Sequence, residues 1–99
     1  MAKKRVWNNM KKVIVIGTGY VGLPLAIILA REGYKVVGVD IDKSIVDAIN
    51  NGILHIKEED LNTIFQEEAV KKNLNGMTKP CKGDIFVIAV PTPLHKRKK

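Results

Sequence analysis

Four consecutive β-branched residues, Val13, Ile14, Val15 and Ile16, are closed by Gly17. An unbroken apolar run of this kind predicts a strand buried on both faces, as in a parallel sheet. Over 21–31 the pattern changes to helical spacing. Val21, Leu25, Ile28 and Leu29 recur as one stripe, and Gly33 stands where a left-handed C-cap belongs. Pro24 is tolerated because it falls in the first turn, where its missing N–H is not needed. Residues 35–39 predict a second strand, closed by Asp40. Asp42 then caps a short helix carrying Ile45, Val46 and Ile49, which Asn51-Gly52 stops. After a linker at 53–57, Glu58-Glu59-Asp60 favours a helix N-terminus. Leu61, Ile64, Phe65 and Ala69 form the buried stripe of that helix, which runs to about residue 72. Residues 74–78 predict a short edge strand. Lys79-Pro80 and Lys82-Gly83 mark turns, and 85–90 is a second continuous apolar run. It predicts a central parallel strand ended by Pro91-Thr92-Pro93.

Strands alternating with helices make right-handed βαβ units. The expected architecture is α/β, a partial Rossmann or doubly wound parallel sheet with strand order 3-2-1-4. Residues 12–94 form this domain, between a basic leader at 1–11 and a basic tail at 95–99. With 99 residues the chain has room for one small domain, which excludes a two-domain enzyme within it. Apolar residues at 45% and charged residues at 27% suit a chain that buries a core, which excludes a disordered tail.

The net charge of +7 raises nucleic acid or an acidic membrane surface as partners. Its distribution argues against both. Residues 13–94 hold eight basic and ten acidic side chains, a net of −2, so the basic character belongs to the two ends. No aromatic or base-reading constellation accompanies those ends, and they read as solvated termini. Val13 opens an uncharged run reaching Ala30, yet Gly17, Gly19, Gly22, Pro24, Thr18 and Tyr20 interrupt it, and it passes into Arg31-Glu32-Gly33. The expectation is no targeting segment, no membrane span and no nucleic-acid partner. The single cysteine, Cys81, cannot form an internal bridge, which suits a reducing compartment and a cytoplasmic location.

The chemistry centres on Gly17-Thr18-Gly19-Tyr20-Val21-Gly22, a G-x-G-x-x-G stretch between a buried strand and a helix, as the dinucleotide fingerprint requires. Gly17 permits the tight turn, Gly19 has no Cβ to block a pyrophosphate, and Gly22 lets helix and strand approach. Free N–H groups around Tyr20 and Val21, with the helix dipole, hold the two negative charges. Asp40 ends the second strand eighteen residues after Gly22, where an acid accepts hydrogen bonds from the adenosine ribose. It selects NAD, since a 2′-phosphate would meet a fixed negative charge, with Lys43 the only base nearby. The alternative is Asp40 as a cap for the next helix. Thr92 follows the fourth strand on the edge where such sheets bind ligands, or is only a turn residue between prolines. His55 reads as structural or solvated, and no Cys, His or carboxylate set has metal-ligand spacing. Cys81 lies in a Pro/Gly turn without a partner base, so the chain offers no catalytic residue. Trp7, in the leader, can pack on the sheet.

Together, 15–26 (VIGTGYVGLPLA), 37–40 (VGVD), 49–52 (INNG) and 90–93 (VPTP) resemble, in the right order, the amino-terminal domain of the UDP-glucose/GDP-mannose dehydrogenase family. The resemblance covers about residues 12–94. The Leu-Pro after the fingerprint and the stretch His55 to Leu61 are most similar to the branch acting on UDP-N-acetyl-D-mannosamine. UDP-glucose dehydrogenases usually carry proline in place of that histidine. The resemblance implies oxidation of a nucleotide-sugar C6 alcohol to a carboxylate in two NAD-dependent steps through a cysteine thioester. It implies that Tyr20 and Val21 contact the pyrophosphate, Asp40 the adenosine ribose, and Thr92 the cofactor on its nicotinamide side. A basic residue that some relatives place after the acid falls here on Ile45. The family's second half-sheet, catalytic cysteine and sugar-nucleotide domain would lie beyond Lys99, so the UDP-sugar is a partner only with those domains. The alternatives are a fragment of a UDP-glucose 6-dehydrogenase and a stand-alone NAD-binding regulatory module. Without a later strand beside it, 85–90 is an exposed edge through which copies of the chain associate.

Overall fold

The structure, a computed structural model, describes residues 11–90. The chain runs β1 (Lys12–Ile16), α1 (Gly22–Arg31), β2 (Lys35–Val39), α2 (Lys43–Asn50), α3 (Glu59–Phe65), α4 (Glu68–Asn73), β3 (Leu74–Met77) and β4 (Ile85–Ile88). The four strands form one parallel sheet in the order β3-β2-β1-β4. Val13 faces Val36 and Ile85 in register, so the carboxyl ends of β1, β2 and β4 share one edge of the sheet.

Alternation along the strands divides the core between two faces. Val13, Val15 and Val36 meet Leu23, Ala26, Ile27 and Ala30 of α1, with Ile49, Ile56, Leu61, Phe65, Val70 and Leu74 completing the cluster. On the other face Ile14, Val37 and Val39 pack with Ile16 and Cys81. Gly38 and Gly76 sit opposite each other in register on β2 and β3. A Cβ on Gly76 would stand 3.1 Å from the Val46 carbonyl oxygen, so its absence lets α2 lie close on the sheet.

The α1 stripe expected from spacing is not the face that packs. Val21, Leu25 and Ile28 are exposed, while Gly22, Leu23, Ala26, Ile27 and Ala30 are buried. The helix carries Leu or Ile on every side, so periodicity selects no face. The small residues Gly22, Ala26 and Ala30 do, because they bring the helix backbone nearest the strands. The expected C-cap is present. Gly33 has φ of +107°, its N–H donates to the Ala30 carbonyl (3.1 Å), and the Tyr34 N–H donates to that of Leu29 (3.2 Å), a Schellman motif.

Asp42 caps α2 as expected, its Oδ1 accepting from the Ser44 N–H at 3.0 Å. The single helix expected over about 61–72 is two. Glu67 adopts an extended ψ of 144°, which resets the helical phase after Phe65. Val70 therefore takes the buried position and Ala69 faces solvent.

The two sheet edges differ. On the outer side of β3, the Asn50 side chain accepts from the Gly76 N–H (2.7 Å) and donates to the Gly76 carbonyl (3.0 Å). One amide thus closes both outward backbone groups of that residue, as a neighbouring strand would. β4 lies at the opposite edge rather than in the centre, and its regular pairing ends at Ile88. The ladder continues by one bond, Ala89 N–H to the Ile16 carbonyl at 2.7 Å.

Candidate functional site

The carboxyl edge of the sheet is where the sequence places its chemistry. β1 ends at Gly17, whose φ of +97° turns the chain sharply while its N–H still donates to the Val39 carbonyl (2.7 Å). A Cβ on Gly22 would lie 1.7 Å from the Gly17 carbonyl oxygen, so α1 starts in direct contact with the turn. Gly19 differs: among the described residues nothing lies within 4 Å of where its Cβ would be. The loop therefore presents bare backbone to open space directly before the helix.

That helix start has no cap of its own. Val21 occupies the N-cap position without a side-chain hydrogen bond, and no acidic residue stands in the first turn. Among the described residues the N–H groups of Tyr20 and Val21 have no partner, and both side chains are exposed. Uncapped N–H groups at the positive end of a ten-residue helix form a place for an anion.

Asp40 stands beside this loop, its own N–H donating to the Met77 carbonyl at 3.1 Å. Its Oδ2 accepts from both the N–H and the hydroxyl of Thr18, each at 3.0 Å, and its Oδ1 accepts from the Asp42 N–H at 3.0 Å. Burial works to raise the Asp40 pKa, but these hydrogen bonds and the charge of His55 outweigh it. The carboxyl thus titrates below the ordinary value of 3.8. Asp40 does not cap α2; Asp42 does, and the bonds from Ser44 hold its pKa down as well.

The sign of the Asp40 effect gives a testable consequence. A depressed folded-state pKa contributes stability that is present above the unfolded value and lost as pH falls through the folded one. The difference in Tm between the wild type and Asp40→Asn is therefore expected to be constant near neutral pH and to shrink below about pH 3.8. A difference that widens with acid in thermal melts would contradict the hydrogen-bonding pattern.

The structure brings Gly17, Gly19, Tyr20, Val21, Gly22 and Asp40 to one edge. Thr92, Trp7 and the two basic ends lie outside the described residues. Cys81 is elsewhere, packed against the Ile14, Val37 and Val39 cluster on the sheet face opposite α1, where it lines a cavity with Lys12 and Lys35. Two members of the site were not expected. Thr18, the fully buried second residue of the glycine loop, is joined to Asp40, and a Cβ on Gly38 would stand 2.9 Å from its Cγ2. His55, exposed in the 53–57 linker, comes within electrostatic range of Asp40. The lone glycine within the second strand was the available sign that something sits over it. No pattern could reveal the approach of His55, which depends on how the linker folds back. Among the described residues no three His, Cys, Asp or Glu side chains converge as metal ligands, and no helix is long and apolar enough to cross a membrane.

The model of the UDP-glucose/GDP-mannose dehydrogenase family, NAD binding domain, matches residues 11–99. The chain belongs to this family. It is similar to the UDP-N-acetyl-D-mannosamine dehydrogenase of Methanococcus vannielii, with 50% identity over 86 residues, 87% of this chain and 20% of that protein. The enzyme of the same name from Campylobacter jejuni is 48% identical over 87% of this chain and 21% of its own length. Among solved structures, the UDP-N-acetyl-mannosamine dehydrogenase of Staphylococcus aureus superposes with a TM-score of 0.77 at 42% identity, over 83% of this chain and 20% of that one. The chain thus spans about a fifth of the length of these relatives. As the family's NAD-binding domain it takes NAD as cofactor. The open face at Gly19 beneath an uncapped helix start fits a pyrophosphate, and the half-buried Asp40 carboxylate, with room left on Oδ1, fits a single donor such as a ribose hydroxyl.

Proposed function

We propose that the chain is the NAD-binding portion of a cytoplasmic nucleotide-sugar 6-dehydrogenase that oxidises UDP-N-acetyl-D-mannosamine to the uronate with two NAD. The observation that carries the cofactor half is the bare backbone at Gly19 lying before unpaired N–H groups and beside Asp40. In this assignment the Tyr20 and Val21 N–H groups hold the pyrophosphate, Gly17, Gly19 and Gly22 shape its cradle, and Asp40 orients the adenosine ribose. Thr92 approaches the nicotinamide side. NAD supplies the hydride acceptor. The identity to dehydrogenases of UDP-N-acetyl-D-mannosamine supports the sugar, and the free Cys81 suits the cytoplasm.

A two-step oxidation also requires a thiolate to hold the intermediate and a base for the C6 hydroxyl. Cys81 packs on the face of the sheet against Ile14 and Val37 and lines a cavity that includes none of the glycine loop, so it suits neither role. The 99 residues alone are therefore expected to form no NADH with UDP-N-acetyl-D-mannosamine or UDP-glucose. The same chain produced with the polypeptide its gene encodes downstream is expected to prefer UDP-N-acetyl-D-mannosamine. A preference for UDP-glucose would transfer the assignment to that sugar. Turnover by the 99 residues that disappears in Cys81→Ser would overturn the placement of the thiol.

The partner proposed for the isolated chain is a second copy. β4 leaves Ile85, Phe86 and Ile88 at 41%, 52% and 72% exposure, with no Lys or Pro along the strand and, among the described residues, nothing like Asn50 closing its edge. Open apolar edges pair. Sedimentation is expected to show concentration-dependent association, and a monodisperse monomer at high concentration would contradict it.

A further inference from the structure

The dinucleotide fingerprint treats the residue between its first two glycines as variable. Here that residue is fully buried and has a defined task. Thr18 spends both its donors, the N–H and the hydroxyl, on a single oxygen, Oδ2 of Asp40, at 3.0 Å each. An ionised carboxylate offers about four lone-pair sites. Thr18 fills the two on Oδ2, and the Asp42 N–H takes one of those on Oδ1. What remains for a ligand is the second site on Oδ1.

The hydroxyl is not free to turn away. The Thr18 methyl lies over Gly38, where a Cβ would approach Cγ2 to 2.9 Å. The glycine of β2 therefore sets the side-chain rotamer of the loop residue, and that rotamer sets the carboxylate. We infer that Thr18, seated on Gly38, is a positioning and specificity-determining residue: it locks the Asp40 carboxylate so that Oδ1 alone meets a ribose hydroxyl and the charge cannot swing aside to admit a 2′-phosphate. The discrimination between NAD and NADP is thus built into the glycine loop as well as into the acid. This inference rests on the assignment of Asp40 to the adenosine ribose.

The test is calorimetric binding of NAD and NADP to the chain and to three variants, with thermal melts alongside. Thr18→Val keeps the shape and removes the hydroxyl. It is expected to weaken NAD roughly tenfold and to narrow the preference for NAD over NADP by a similar factor. Thr18→Ser restores the hydroxyl and is expected to stay within about threefold of the wild type. Gly38→Ala retains the hydroxyl but displaces it, and is expected to narrow the preference as Thr18→Val does. It also decides the matter if Thr18→Val does not melt cooperatively. An unchanged preference in Thr18→Val or Gly38→Ala would overturn the inference, and so would equal losses in the Val and Ser variants, which would report packing alone. Failure of the wild type to bind NAD would instead overturn the ribose assignment beneath it.

Discussion

Gly22→Ala is expected to destabilise the fold strongly, whereas Gly19→Ala is expected to leave the fold intact and weaken NAD binding. Both residues belong to the same six-residue loop, and both are formally the same substitution, so the contrast isolates what each glycine does. At Gly22 the new methyl would sit 1.7 Å from the Gly17 carbonyl oxygen, 2.8 Å from its carbon and 3.2 Å from the Ala89 Cβ. The first two are backbone atoms of a turn fixed by its bond to Val39, so nothing can rotate away. Relief requires α1 to lift from the sheet, taking Leu23, Ala26, Ile27 and Ala30 out of the core. Overpacking of this kind costs about 1–3 kcal/mol and occasionally more, and contact with fixed backbone puts this case at the upper end. That is a large share of the roughly 5–15 kcal/mol that holds a small domain folded.

At Gly19 the balance reverses. Its φ is not positive and its Cβ would touch none of the described residues, so the change in stability is expected to stay within about 0.5 kcal/mol. The methyl would instead occupy the space through which a pyrophosphate must approach the N–H groups of Tyr20 and Val21. A loss of about a hundredfold in NAD affinity is expected, equivalent to roughly 2.7 kcal/mol. Circular-dichroism melts and calorimetry separate the two cases. A Gly22→Ala protein that melts like the wild type, or a Gly19→Ala protein that binds NAD like the wild type, would contradict the loop geometry.

The elements that were legible in the sequence are those whose cause is local. The apolar runs before Gly17 and Asp40 can only be strands buried on both sides, and Gly33 and Asp42 act through their own backbone surroundings. Order in the sheet followed from the handedness of βαβ units and needed no side chain. What was not legible depends on distant packing. The buried face of α1 is chosen by which side of an almost wholly apolar helix the sheet accepts, and the break at Glu67 by how α3 and α4 each reach the core. The glycine loop and Asp40 were visible as a spacing. The bond that joins them runs through Thr18 across 22 residues, and only Gly38, an isolated glycine in a strand, hinted at it.

The second large effect concerns which dinucleotide is held. Asp40 is ionised throughout the neutral range, since its hydrogen bonds depress its pKa, and its position is fixed from two sides. A ribose hydroxyl can donate to the open site on Oδ1 of that carboxylate. A 2′-phosphate brings about two negative charges to the same place. Among the described residues no arginine stands nearby to receive them; Lys43 is already engaged with Asp47 at 3.0 Å, and His55 is the other basic side chain within electrostatic range of Asp40. Like charges at such a separation discriminate by one to several kcal/mol even in a partly solvated site. NADP is thus expected to bind at least tenfold more weakly than NAD. Asp40→Ala is expected to lose NAD affinity and most of the discrimination together, because it removes both the acceptor and the repulsion.

Titration of the folded chain with NAD and with NADP, by calorimetry at neutral pH and low salt, tests this account most directly. Binding of NAD that exceeds NADP by tenfold or more, with the preference largely gone in Asp40→Ala, is the predicted result; NADP binding as tightly as NAD, or unchanged NAD binding in Asp40→Ala, would contradict it.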